Sequence, residues 1–197
     1  MQLGLATTIL TIPTIGARAA ASSEAVDTIR TFYDRLSATM KEGPSLGFAG
    51  RRDQLQGVIK NSFDLPRMTR LAVGPRWRSL SSQEQSELVN AFGAYSAATY
   101  ATRFTHDNGE AFEVSPNVTQ TGEGAIVHTK LVRPGEDPVQ LDYLMRPDGD
   151  GWRIEDVYLS GTISELATRR SEFTSVLDRG GPQALVEALR RKAAGEG

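Results

Sequence analysis

Apolar residues Val26, Ile29, Phe32, Leu36 and Met40 recur at steps of three and four, with Asp27, Arg30, Asp34 and Arg35 between them, a spacing that predicts an amphipathic helix from Glu24. Gly43-Pro44 is expected to stop it. After a glycine-containing loop, a second helix is predicted over residues 51–61, with Leu55, Val58 and Ile59 inward. A short third helix over residues 63–71 carries Pro66 in its first turn, where the missing amide is tolerated. Gly74-Pro75 breaks the chain again. Ser81 then stands three residues before Glu84, a capping-box pair that opens the longest helix. It is predicted to run to about Phe104, with Leu88, Phe92, Tyr95, Thr99 and the Ala98–Ala101 region facing inward.

From Glu110 the period drops to two. Segments 112–118, 125–132, 139–145 and 152–159 alternate, and turn residues separate them, which predicts a four-stranded antiparallel meander. Val139, Leu141, Tyr143 and Met145 share one face of the third strand while Gln140, Asp142 and Arg146 share the other, so one sheet face needs a cover. A helix predicted from Thr162 bears Ile163, Leu166, Phe173, Val176 and Leu177 and closes at Gly180-Gly181; Pro182 begins a last helix. The expected fold class is α+β, a curved, cone-like antiparallel sheet of the NTF2-like kind covered on one face by helices, with a helical subdomain.

Residues 3–16 carry no charge and run into Ala17-Arg18-Ala19-Ala20-Ala21, whose small-x-small steps suit cleavage. Residues 1–21 are therefore expected to be a signal peptide, although no Lys or Arg precedes the apolar run. Pro13 and Gly16 weigh against a buried helix there. The remainder, 22–197, fits a single domain with helices at 24–104, the sheet at 110–160 and C-terminal helices at 162–192.

The balance of 22 Lys+Arg against 24 Asp+Glu argues against a nucleic-acid partner. With no cysteine, the chain can hold neither a disulfide, a thiolate zinc site nor a cysteine nucleophile. The two histidines, His106 and His128, have no partner at metal-ligand spacing, and no nucleophile elbow, Walker loop or dinucleotide fingerprint is present. No cofactor, metal or catalytic residue is expected. Asp148-Gly149-Asp150-Gly151 fails as a calcium loop, because Trp152 and Leu159 stand where ligands are required, and reads as a hairpin turn. On an alternating strand Trp152, Ile154, Asp156 and Tyr158 would share a face. Asp156 would then be a buried carboxylate latching the sheet to the following helix, with Arg170 a candidate partner.

Taken in order, Phe63-Asp64-Leu65 with Met68, Gly74 with Trp77, Leu80-Ser81 with Gln83, and Tyr100-Ala101 resemble the periplasmic toluene-tolerance or MlaC-like family of lipid carriers. Trp152-Arg153-Ile154-Glu155-Asp156-Val157, Gly161 and Arg170-Ser171 with Phe173 continue the resemblance, which spans residues 24–192. The run from Thr162 to Arg170 looks most like the hopanoid-associated HpnM branch. At Arg169 the phospholipid-carrying members usually hold tyrosine, a departure that bears on the cargo.

The resemblance implies a periplasmic, non-enzymatic lipid carrier, an auxiliary component of an ABC transporter. It would hold a hopanoid or phospholipid in an internal apolar cavity and make transient contact with an inner-membrane transporter complex, an outer-membrane acceptor being a further candidate partner. Physics requires such a cavity: at about 0.8 kcal/mol per methylene, exposing some thirty methylenes to water would cost on the order of 20 kcal/mol. Candidate wall residues are Met68, Leu71, Tyr95, Tyr100, Val127, Leu131, Leu141, Tyr143 and Met145, with Ile163 and Leu166 at the rim. Arg67, Arg70, Arg76 and Arg78 are candidate headgroup or docking contacts. A non-catalytic adaptor of an envelope transport complex is the competing reading. A small lipid- or terpenoid-modifying enzyme would instead need groups such as Asp156, His128 and Tyr143 to act together.

Overall fold

A computed structural model describes residues 15–149 and 151–196. Of the expected signal peptide, residues 1–14 lie outside the described residues. From Ile15 the backbone is already helical, Gly16 included, and continues into α1, Ile15–Ser62. This helix does not stop at Gly43-Pro44. Its break falls at Gly47, whose φ of 61° lies in the left-handed region, while Pro44 stays inside the helical run. The glycine at 43 answers a different need. A Cβ there would fall on the carbonyl oxygen of Thr105, so its absence lets α1 meet the chain just beyond α3. Buried Arg51 fastens the same junction by donating to the carbonyls of Ala101 (3.0 Å) and Gly43 (3.2 Å).

Helix α2, Leu65–Val73, opens on the Asp64 cap, whose carboxylate accepts from the Arg67 amide at 3.1 Å. Gly74–Ser79 forms a 3-10 turn rather than an irregular break. The predicted capping box opens α3, Ser82–Arg103: the Glu84 amide donates to the Ser81 hydroxyl at 3.3 Å, and the Ser81 amide donates back to the Glu84 carboxylate at 2.8 Å.

Strands β1 (Ala111–Thr121), β2 (Gly124–Val132), β3 (Val139–Asp148), β4 (Gly151–Leu159) and β5 (Ile163–Ser164) form one antiparallel sheet in sequence order. The architecture is α+β, an open sheet packed against helices. The fifth strand replaces the predicted start of a helix at Thr162. Ser160 (φ 51°) and Gly161 (φ 72°) turn the chain back, so that Ile163 and Ser164 pair with Leu159 and Tyr158. Helix α4, Glu165–Ala194, then begins on the Ser164 cap and kinks at Gly181, where Gly180-Gly181-Pro182 predicted a break.

A register shift in β4 also alters the expected pattern. Leu144 pairs with Asp156 but Met145 with Ile154, which leaves Glu155 as a bulge residue. The bulge changes the strand's phase. Val157 pairs with inward Tyr143, and Ile154 with inward Met145, so Asp156 and Tyr158 do not share the face of Ile154. Bulged Glu155 is buried and paired with both Arg146 (3.1 Å) and Arg67.

The core lies between the sheet's apolar face and the helices. An aromatic cluster runs through it: Phe32 meets Phe63, Tyr100 and Tyr143 edge-on, and Tyr33 stacks on Phe112 at 4.2 Å. Each large side chain fully withdrawn from water there contributes about 1.5–3 kcal/mol. No helix among the described residues is long and apolar enough to cross a membrane.

Candidate functional site

The aromatic cluster does not fill the whole helix–sheet interface. A pocket of about 300 Å³ remains between α3, the inner faces of β2–β4, α2 and the first turn of α4. Strand alternation presents Leu131, Leu141 and Tyr143 to it, and the bulge brings Val157 and Leu159 to the same surface. From α3, one helical stripe supplies Phe92, Tyr95, Ser96, Thr99, Tyr100 and Arg103. The two small hydroxyls in that stripe are already engaged. Ser96 donates to the Phe92 carbonyl (2.8 Å) and Thr99 to the Tyr95 carbonyl (2.9 Å), so the wall is apolar in effect.

Behind the pocket lies a hydroxyl network. Tyr33 donates to Tyr143 (2.9 Å) and is 2.8 Å from Thr129, whose hydroxyl donates to the Leu141 carbonyl at 2.6 Å. Burial pushes the Tyr33 phenol up to about 12 and raises Tyr100 and Tyr143 as well. All three stay neutral at physiological pH.

The mouth carries the charge. Arg169 lies over the Tyr95 ring at 5.1 Å, and Arg103, Arg133 and Glu165 join it in the lining. Burial opposes the Arg169 charge, yet Tyr95 and then Glu172 and Glu165 hold its guanidinium above the ordinary arginine range; Glu110 does the same for Arg133 against a smaller burial effect.

Seven of the wall and rim residues expected from the sequence come together in this pocket: Met68, Tyr95, Tyr100, Leu131, Leu141, Tyr143 and Leu166. Four do not. Val127 and Met145 are fully buried towards the sheet end where Ala125, Met145 and Ile154 pair, an end filled by side chains. Leu71 is 36% exposed on α2, and Ile163 is 56% exposed because it belongs to the edge strand β5 instead of the helix stripe.

The expected rim arginines are elsewhere too. Arg67 pairs with Glu155, Arg76 with Asp178 and the Leu177 carbonyl, and neither these nor Arg70 and Arg78 line the pocket. The actual mouth residues follow from extending the same periods. Arg103 is four residues beyond Thr99, Arg169 three beyond Leu166, and Arg133 two beyond Leu131.

Asp156 ties the sheet to α4, but through amides and a hydroxyl. It accepts from the amides of Val157 (2.8 Å) and Leu166 (3.0 Å) and from the Ser164 hydroxyl (2.5 Å). Arg170 lies instead against Gly74. Burial raises the Asp156 carboxyl above the ordinary aspartate range. His106 is hydrogen-bonded to its neighbour Thr105 (2.7 Å), and His128 is hydrogen-bonded to Thr119 on the adjacent strand (2.9 Å) and lies 3.1 Å from the Asp142 carboxylate. No group of three metal-ligating side chains occurs among the described residues.

A second, more polar groove of about 770 Å³ lies between α1, α2 and α3, and Phe63 lines both it and the apolar pocket.

A protein-family model described as "MlaC protein" matches residues 30–191. No protein of curated function matches significantly. Among solved structures, a phospholipid-binding protein from Ralstonia solanacearum, determined in complex with a phospholipid, superposes with a TM-score of 0.76. It is 24% identical, and the match covers 88% of this chain and 98% of that one, a likeness of fold.

Proposed function

The chain belongs to the MlaC family, a non-enzymatic family of lipid carriers, and from that premise we propose that it takes the apolar part of a lipid into the pocket between α3 and the sheet. In this reading it crosses the periplasm as a single domain, residues 22–197, after loss of a leader over 1–21, and exchanges cargo with an inner-membrane transporter complex and an outer-membrane acceptor. The pocket is the observation that carries the proposal. Its volume of about 300 Å³ stands at the small end of ligand sites, which run to about 1,000 Å³. Its walls away from the charged mouth are mostly aliphatic and aromatic, with the Ser96 and Thr99 hydroxyls engaged. Every methylene moved from water into such a wall gains about 0.8 kcal/mol, enough to make desorption from a membrane feasible when many enter together.

The phospholipid held by the Ralstonia solanacearum protein supports a phospholipid cargo here. The resemblance of residues 162–170 to the hopanoid-associated branch makes a hopanoid the alternative. A purely protein-binding adaptor has less support, because it needs no apolar hollow, and the large exposed hydrophobics Leu71 and Ile163 lie on different elements.

The experiment is lipid extraction. The full chain, purified without detergent from a bacterial host, is denatured and its organic extract analysed by mass spectrometry, with native mass spectrometry giving stoichiometry. We expect about one lipid per chain at saturation. Recovery of no lipid, together with no uptake from phospholipid vesicles, overturns the proposal.

A further inference from the structure

We propose that the pocket mouth is charge-compensated and therefore selects lipids whose polar end bears no net negative charge, with Glu165 as the residue that sets this preference. The inference rests on the carrier reading above and adds the class of cargo. Its basis is the pairing of every arginine that lines the pocket. Glu165 lies in the first turn of α4 and divides its two oxygens between two helices. Oε2 pairs with Arg169 Nη2 at 3.1 Å, and Oε1 with Arg103 Nη2 on α3 at 3.5 Å. Arg169 also grips Glu172, at 3.0 and 3.2 Å from its two oxygens. Arg133, on the sheet side, pairs with Glu110 at 2.7 Å and Glu136 at 3.6 Å. Three guanidinium groups thus face four carboxylates. A further cation, Lys192, is exposed, stands 5.6 Å from the Tyr95 ring and does not line the pocket.

A phosphodiester whose headgroup carries no cation would bring one more negative charge to a site whose three guanidinium groups already face four carboxylates. An anion that approaches one of these arginines competes with a carboxylate already beside it. Arg169 is only 14% exposed and Glu165 only 21%, so a displaced Glu165 loses its partners where water compensates poorly. A zwitterionic head brings its own cation, and an uncharged hydroxylated head asks for no ion pair. Neither has to break the Arg103–Glu165–Arg169 bridge.

The test is competitive uptake by the full chain from vesicles containing equal parts phosphatidylcholine, phosphatidylglycerol and diacylglycerol, with bound lipid quantified by mass spectrometry. Wild type is expected to take phosphatidylcholine and diacylglycerol over phosphatidylglycerol by about tenfold, the ratio that one partly buried ion pair commands. Glu165→Gln releases Arg103 and half of Arg169 and should shift the bound ratio several-fold towards phosphatidylglycerol. Glu165→Asp, which restores the charge, should return it towards wild type. Raising ionic strength should weaken the wild-type preference. Equal or preferential uptake of phosphatidylglycerol by wild type overturns the inference while leaving the carrier reading intact. So does a ratio unmoved in a Glu165→Gln protein that still loads lipid. Should Glu165→Gln fail to fold, Glu110→Gln makes the same test at Arg133. Uptake of none of the three lipids overturns the carrier reading and this inference together.

Discussion

Truncating Phe63 tests how far the pocket wall depends on its cargo. The Phe63 ring is 4% exposed and makes edge-on contacts with Phe32 at 5.5 Å and Tyr100 at 5.9 Å. On its remaining sides it separates the apolar pocket from the groove between α1, α2 and α3. The backbone cannot follow a shortened side chain inwards, because the Phe63 amide donates to the Ile59 carbonyl (3.0 Å) and the Asp64 amide to the Ile154 carbonyl (2.9 Å). Phe63→Ala should therefore leave a cavity. Such truncations cost about 3–5 kcal/mol, and a ring already facing open space belongs at the lower end, about 3 kcal/mol. A bound lipid chain can enter the vacated volume at about 0.8 kcal/mol per methylene, so two or three methylenes would recover about 2 kcal/mol. Urea unfolding of the delipidated and loaded variant, each against wild type, measures both quantities. A cost below about 1 kcal/mol without lipid, or the same cost with and without lipid, would refute the reasoning.

Three other outcomes follow from the geometry. Gly43→Ala forces a methyl into the Thr105 carbonyl and should lower stability by about 1–3 kcal/mol in thermal unfolding; a neutral result would mean that α1 and the end of α3 are not held this closely. Glu155→Gln removes the charge shared by Arg146 and Arg67, which are 24% and 38% exposed. Solvent tempers the loss, so denaturant titration should show about 1.5 kcal/mol, and none if the bulge is not held by charge. Alkaline titration tests Tyr33, whose folded pKa is about 12. Unfolded tyrosine ionises near 10, so stability is constant below that and falls as pH rises towards 12, by about 2–3 kcal/mol for this group. Tyr33→Phe should flatten part of that fall; an unchanged slope counts against the buried network.

The elements were legible where local rules act alone. The Ser81–Glu84 capping box, Pro66 in the first turn of a short helix and the period-two strands all needed only neighbours in sequence to be read. Departures came where a distant partner decides. Gly43-Pro44 looks like a stop, yet Gly43 is small to admit Thr105 and the turn falls to Gly47. The Glu155 bulge leaves no mark on the alternation of β4, because its cause is the pairing with Arg146 and Arg67 from other elements. That bulge is why Asp156 and Ile154 part faces, and why Val157 reaches the pocket. Among the wall residues, periodicity identified the inward face but not which end of it is hollow. Val127 and Leu131 share a face of β2, and only the packing at the Ala125–Met145–Ile154 end makes the first solid core. Arg103 and Arg133 escaped notice because charged residues at the end of a helix or strand usually face water, and Arg169 stood out only through the family resemblance.

The central claim is that the lipid's apolar portion occupies the pocket between α3 and β2–β4. A crystal structure of the chain loaded with a lipid brominated along its acyl chain tests it most directly, since anomalous scattering locates the bromine. Bromine peaks are expected in contact with Leu131, Leu141 and Val157. Peaks in the polar groove between α1, α2 and α3, or on the outer face of the sheet, would contradict it.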